Sequence, residues 1–336
     1  MSNLETRPDE RVCVPGARDQ GELAGCRPPD PPELVAPREV PLGGPRAMTV
    51  RRTLPRRQRS LIGAWCFLDH YGPDDVAATG GMAVPGHPHT GLQTVSWLFE
   101  GEIEHRDTTG VHAMVRPGEL NLMTAGSGIA HSEHSTPVTT ALHGVQLWVA
   151  LPEGDRQSAP GFVHHAPPLV DLDAGARMRV LLGDVAGERS PVATYSPLLG
   201  AEVTLAAGSR LHLVVDPTFE HGVLVDAGEV EVAGRAARRG ELVYLAPGRR
   251  EIELRAGPGE DVRVMLLGGE PLGEAVVMWW NFLGGSHDEV VAYREAWQAE
   301  RADPGARPGR FGAFPEAWES TLPAPGLPSV RLRPRA

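Results

Sequence analysis

The chain reads as an all-β protein of two barrel or jelly-roll units, on three observations. Short alternating strands are punctuated by glycine turns, the order of strands and turns recurs in the second half, and 336 residues exceed the length at which a single core stops growing. The strands come in order. Thr94–Phe99 alternates apolar and polar residues, Glu100-Gly101 is a turn, and Glu102–Asp107 is a second strand, so a hairpin is the simplest reading. Arg116-Pro117-Gly118-Glu119 turns the chain again, Leu120–Met123 is a short strand, and Ala125-Gly126-Ser127-Gly128 delivers the next one.

Two short words flank this run. His87-Pro88-His89 and His131-Ser132-Glu133 each place two donors at i and i+2, and strand side chains two apart share a face. If the two strands lie side by side, three imidazoles and one carboxylate converge. Such a donor set suits Fe, Mn, Ni, Co, Cu or Zn, and four protein donors leave two positions on an octahedral ion for substrate and dioxygen.

Several stretches resemble the pirin family. They are Gly86-His87-Pro88-His89-Thr90-Gly91, Glu104-His105-Arg106-Asp107, the run from Met123 to Glu133, and Leu142-His143-Gly144-Val145-Gln146-Leu147-Trp148. Later, Gly268–Glu274 and Trp279-Trp280-Asn281-Phe282 resemble the C-terminal part of pirins, so the likeness covers about residues 47 to 325. The resemblance implies a bicupin: two jelly-roll β-barrel domains with a short C-terminal helix, and one divalent metal in the first barrel, Fe(II) before the alternatives. The implied metal ligands are His87, His89, His131 and Glu133, matching the spacing argument. The chain departs from the wider cupin pattern at Gln93, where a glutamate is usual; the amide is read as a pocket group that orients a ligand. His105 and Asp107 point either into the barrel behind the ligands or outward.

The repeat does not duplicate the chemistry. Anchoring Gly101 on Gly228 maps His87 and His89 to Val214 and Asp216, and anchoring Gly126 on Gly248 maps His131 and Glu133 to Glu253 and Arg255. The second unit is therefore read as metal-free, with His212 and His221 as ordinary strand or loop histidines. The expected organisation is an extension over 1–45, a metal-binding cupin unit over 46–170, a second cupin unit over 171–300, and a Pro/Gly/Arg-rich tail over 301–336. Within it, the acids after His287 and the apolar spacing to Trp297 predict a helix ending near Glu300, and the tail is expected to strap the barrels.

Composition narrows the partners. A net charge of −11 disfavours direct nucleic-acid or acidic-membrane binding, and no apolar run is long enough to span a bilayer. The one basic cluster, Arg51, Arg52, Arg56, Arg57 and Arg59, is read as decoration of an opening strand or as a surface for an acidic partner. Three cysteines, Cys13, Cys26 and Cys66, make no disulfide framework, so a reducing cytoplasm is expected; a monomer is expected as well.

The resemblance implies two activities. One is a quercetin 2,4-dioxygenase type of reaction on flavonol or enol-like small molecules, in which Glu133 both ligates the metal and takes the substrate's hydroxyl proton. The other is a regulatory protein whose partner reads the oxidation state of the metal without turnover. A purely structural ion is a third reading, and affinity order alone favours Cu and Zn, so metal availability decides.

Overall fold

The computed structural model describes residues 11–13, 30–42, 48–303 and 309–332. Each unit pairs a seven-stranded sheet with a four-stranded one, every neighbouring pair antiparallel. In the first unit the large sheet runs Gly161–His165, Leu120–Thr124, Leu92–Glu100, Ala141–Ala150, Trp65–Asp75, Met48–Leu54 and Arg38–Leu42. The small one runs Ala83–His89, Ile129–Ser135, Ile103–Asp107 and His112–Val115. The second unit repeats this plan with Glu220–Ala227 and Val262–Gly269 central in the large sheet and Glu251–Ala256 central in the small one. Both are jelly rolls with open sheets; hydrogen bonding does not close them into barrels among the described residues.

The expected hairpin does not form. Leu92–Glu100 pairs with Leu120–Thr124 and Ala141–Ala150, whereas Ile103–Asp107 pairs with Ile129–Ser135 and His112–Val115. The Gly101 turn, at φ +90, passes the chain from one sheet to the other. Alternation alone cannot tell a hairpin from such a crossing, because both connect two half-buried strands through a tight turn.

The seam between the units is apolar and continuous. Outward residues of the first large sheet, Trp65, Leu68, Val95, Trp97, Val145 and Leu147, pack with Leu181, Leu224, Met265 and Leu267 of the second. Trp65 anchors it: the indole is fully buried, and its Nε1–H lies 3.1 Å from the Leu199 carbonyl and 3.2 Å from that of Gly268. Trp97 donates across the seam to Glu202 at 2.7 Å. Within the stretch expected as an N-terminal extension, Glu33–Val35 joins the second large sheet beside Leu242–Tyr244, and Arg38–Leu42 joins the first beside Met48–Arg52. Those few residues hem both sheets. Cys26 lies outside the described residues, and the buried Cys66 has its Sγ 3.5 Å from the Trp148 carbonyl.

At one end of the seam sits a polar knot. Asp226 accepts from His70 Nε2 at 2.7 Å, His143 Nε2 at 2.5 Å and Arg263 Nε at 2.5 Å, joining strands of both units. Arg51 donates to His70 Nδ1, and Arg239 Nη2 stands 3.3 Å from His143 Nε2. The two imidazoles and the carboxylate lie close enough to hold a cation. Three guanidiniums surround them, however, and the carboxylate is already bonded on both oxygens, so the cluster is a latch between the units.

The basic cluster of the sequence does not form a patch. Arg52 is buried inside the first roll in a two-point ion pair with Asp69 at 2.7 and 2.8 Å, Arg51 enters the latch, and Arg59 bonds Glu33 and lies over the Tyr244 ring. Strand alternation sends neighbouring arginines to opposite faces.

The C-terminal region closes over the first roll. Ser286 caps the helix His287–Ala302 by accepting from Glu289 N, and Val290, Tyr293 and Trp297 pack on Trp279, Trp280, Phe282 and Phe311. The tail then crosses the small sheet: Gly86 N donates to Ser320 O and Leu322 N to Gly86 O. Residue 86 must be glycine here, since a Cβ would come within 2.4 Å of the Trp318 ring. Leu283 N donates to Thr90 O on the other side, so both flanks of His87-Pro88-His89 are held.

Two outcomes follow from the seam. Trp65→Ala opens a cavity and strands two carbonyls, and should cost about 3–5 kcal/mol, read as a lower urea midpoint. Desolvation pushes His70 down to about 4, opposed by its bond to Asp226. Its neutral form is thus the folded form, and stability present above the unfolded value near 6.5 should fall as pH drops toward 4. Melting temperature measured from pH 7 to 4 should fall more steeply in the wild type than in His70→Gln; equal slopes would remove His70 as a cause.

Candidate metal centre

The central strand of the first small sheet, Ile129–Ser135, brings the two words together. His131 sits opposite His87 on one side and Asp107 on the other, while Glu133 sits opposite His105. A register shift falls between His131 and Glu133 on the His87 side, so the local ladder bends where the donors cluster. All four side chains turn inward and are buried, at 1 % exposure or less. Imidazole centroids stand 4.2 Å apart for His87 and His131, 5.1 Å for His89 and His131, and 5.2 Å for His87 and His89. Donor atoms of His87, His89 and His131 form one group within 4.8 Å, and those of His105, His131 and Glu133 form an overlapping one.

The donor set fits a metal ion. His87 Nε2, His89 Nε2 and His131 Nε2 are buried without a hydrogen-bond partner, and an orphaned buried polar atom is costly unless something meets it. Burial pushes His87 down to about 3 and holds His89 and His131 well below the usual imidazole range, so their lone pairs are free for coordination. His87 directs Nε2 inward because its Nδ1 lies 2.9 Å from the Pro85 carbonyl, to which it donates.

His131 is oriented through a relay. Its Nδ1 is 3.4 Å from His105 Nδ1, and His105 Nε2 is 3.0 Å from Asp107 Oδ2. One proton order satisfies every link: His131 Nδ1–H donates to His105 Nδ1, His105 Nε2–H donates to Asp107, and His131 Nε2 keeps its lone pair. The two orientations the sequence leaves open for His105 and Asp107 are thereby resolved, since both point inward and are buried. Asp107 Oδ1 also accepts from Thr109 N, Thr109 Oγ1 and Val111 N, which fixes the carboxylate.

Gln93 lies elsewhere. It shares a strand face with Val95 and Trp97, which pack into the seam, and its amide donates to Thr124. The residues that do face the site from the large sheet are Thr94 and Ser96, one place along, together with Gln146 and Trp148. Ser96 Oγ is 3.4 Å from Glu133 Oε1 and 3.0 Å from Gln146 Oε1. Trp148 stacks on Phe67 with centroids 3.9 Å apart and stands edge-on to His89 at 5.1 Å. The site is a polar belt between two apolar clusters: Ile129, Leu92 and Ala150 above, Leu98, Leu142 and Ile103 below. Sequence reading missed Ser96, Gln146, Trp148 and Asp69; polar residues interrupting otherwise apolar inward positions are the signal that marks them.

In the second roll the equivalent inward positions are aliphatic. Leu213 pairs with Ile252 and Leu211 with Leu254, all facing the core with Val230 and Val232. The Val214, Asp216, Glu253 and Arg255 mapping is thus one residue out of step, since Val214 and Arg255 are exposed. No group of three donors lies wholly within this roll among the described residues, and His221 is a buried strand histidine.

Comparison with known proteins places the chain. Residues 47–149 match the pirin family model and residues 200–303 the model of the pirin C-terminal cupin domain. The chain belongs to the pirin family, a class of two-cupin proteins. It is 44% identical over 296 residues to a Pseudomonas aeruginosa protein provisionally named quercetin 2,3-dioxygenase, covering 88% of this chain and 90% of that one. It is 37% identical over 279 residues to a pirin-like protein of Caulobacter vibrioides, covering 80% and 94%. The crystal structure of quercetin 2,3-dioxygenase from Acinetobacter baumannii superposes with a TM-score of 0.82 at 35% identity, covering 90% of this chain and 98% of that one.

Asp107→Asn tests the relay. The amide keeps the Oδ1 acceptor of the turn but presents N–H to His105 Nε2, reversing the proton order. Metal affinity, measured by chelator competition, should fall about 10- to 100-fold with the fold intact; an unchanged affinity would show that His131 needs no such support.

Proposed function

We propose that this pirin is a metal-dependent dioxygenase of flavonol or enol-like small molecules, with Fe(II) as its ion. The observation that supports this most is a pair of overlapping buried donor groups inside the first roll, His87, His89 and His131 in one and His105, His131 and Glu133 in the other. Relatives carrying the quercetin 2,3-dioxygenase name at 44% and 35% identity support the same substrate class. An iron ion held by His87, His89, His131 and Glu133 supplies redox chemistry with dioxygen.

The chain's own residues do the rest. The three imidazoles contribute no charge, so Glu133 is the anionic donor at the site. Glu133 then takes the proton from the substrate hydroxyl, leaving the substrate as an electron-rich enolate. Ser96, whose hydroxyl donates to Gln146, lies beside that carboxylate with its Oγ 3.4 Å from Glu133 Oε1. The apolar clusters above and below the belt exclude water from the reacting centre and favour a flat aromatic substrate. The regulatory reading named an arginine surface between Arg51 and Arg59, of which Arg51, Arg52 and Arg59 are engaged by His70, Asp69 and Glu33.

Elemental analysis of wild type, His87→Ala and His131→Ala, followed by anaerobic iron loading and oxygen-electrode assays with quercetin, tests the proposal. About one metal ion per chain is expected in the wild type and a loss in both variants. Glu133→Gln should retain much of its metal while oxygen uptake falls on the order of 10²- to 10⁴-fold. Stoichiometric iron with no flavonol-dependent uptake would contradict the dioxygenase.

A further inference from the structure

The belt around the histidines holds two N–H donors that no described residue uses. Trp148 is fully buried and its Nε1–H has no hydrogen-bond partner; indole nitrogen can only donate. Its ring cannot turn to find one. Phe67 stacks on it at an interplanar angle of 13°, His89 abuts it edge-on, and the Arg52 guanidinium lies 4.4 Å from the Phe67 centroid, itself fixed by Asp69. Gln146, two residues earlier on the same inward face and 1 % exposed, is similar. Its amide oxygen receives Ser96 Oγ–H at 3.0 Å, and its Nε2 has no partner.

An unmet buried donor costs about 1–3 kcal/mol, so two of them, pinned side by side beside orphaned imidazole nitrogens, point to a ligand. Residues two apart on a strand are about 6.6 Å apart along the backbone. A diatomic molecule cannot touch both, whereas a ring compound with two acceptor oxygens can. The Trp148 ring, held by Phe67 on one face, adds an apolar edge to the recognition of such a ring.

We propose that Trp148 and Gln146 are the specificity-determining donors of this site, recognising carbonyl, enolate or ring-ether oxygens on a planar oxygen-bearing ligand. The inference rests on the proposed substrate class and deepens it. Neither residue ligates the metal or moves a proton; each selects oxygen acceptors at fixed places on the ring. A ligand of the same shape lacking those oxygens leaves both donors unmet and is rejected.

Isothermal titration of zinc-loaded protein with quercetin reads binding without turnover. Trp148→Phe retains the stack but removes the N–H, and Gln146→Leu retains most of the volume but removes the amide. Each should bind quercetin about tenfold more weakly than wild type, the loss of one hydrogen bond, with zinc stoichiometry unchanged and a melting temperature no lower than that of wild type. Wild-type binding matched by both variants would overturn the assignment while leaving the dioxygenase reading standing. Zinc-loaded wild type that binds no quercetin would overturn the substrate class and this inference with it. Should Trp148→Phe lose zinc or melt early, Gln146→Leu decides alone.

Discussion

The register of one strand governs this structure. Ile129–Ser135 pairs on both sides so that His131 meets His87 and Glu133 meets His105 on the inner face of the small sheet. Because strand side chains alternate, a slip of one residue in this strand would send His131 and Glu133 outward and bring Ala130 and Ser132 inside. Register is therefore fixed from several directions. Apolar residues on the same strand face lock its upper end in the core, and the C-terminal tail bonds Gly86 while Leu283 bonds Thr90. The strap and helix, which contribute no donor, thus belong to the machinery that keeps the donors in place.

The two rolls show how one plan can carry different contents. Both have a large and a small sheet of the same size, and both glycine-turn sequences recur, yet the inner face of the second small sheet is leucine, valine and isoleucine. A metal site needs neutral, desolvated imidazoles with lone pairs aimed at one point, and that arrangement leaves buried polar atoms which destabilise an empty roll. The second roll avoids this cost and contributes an apolar face against which the first is braced. Burial of Trp65, Trp97 and their neighbours at the seam stabilises the fold at a distance from the chemistry.

Much of this was legible in the residues. The i, i+2 spacing of His87-Pro88-His89 and His131-Ser132-Glu133 assigns a common face within each word whatever the pairing partner, so that much could be read directly. What could not be read was which strands pair. The Thr94–Phe99 and Glu102–Asp107 run has hairpin punctuation but crosses between sheets, and the one-residue error in matching the two rolls arises because turn glycines anchor loops, not the pleat. Gln93 was misplaced for a related reason: the cupin pattern names a position, and here the inward face belongs to Thr94 and Ser96. The Arg52–Asp69 pair depends on the register of two consecutive strands, and the His70–Asp226–His143 latch on contacts between distant ones, 156 residues apart for His70 and Asp226. Local sequence carries no trace of such contacts.

The most direct test of the account is the position of the ion itself. Crystals of the protein soaked with zinc and measured across the zinc absorption edge should give an anomalous peak inside the first roll. The peak should lie about 2.0–2.2 Å from a ring nitrogen of each of His87, His89 and His131 and from a carboxylate oxygen of Glu133. A dominant peak at His70, His143 and Asp226, or a first roll without one, would contradict the assignment on which the rest of the mechanism stands.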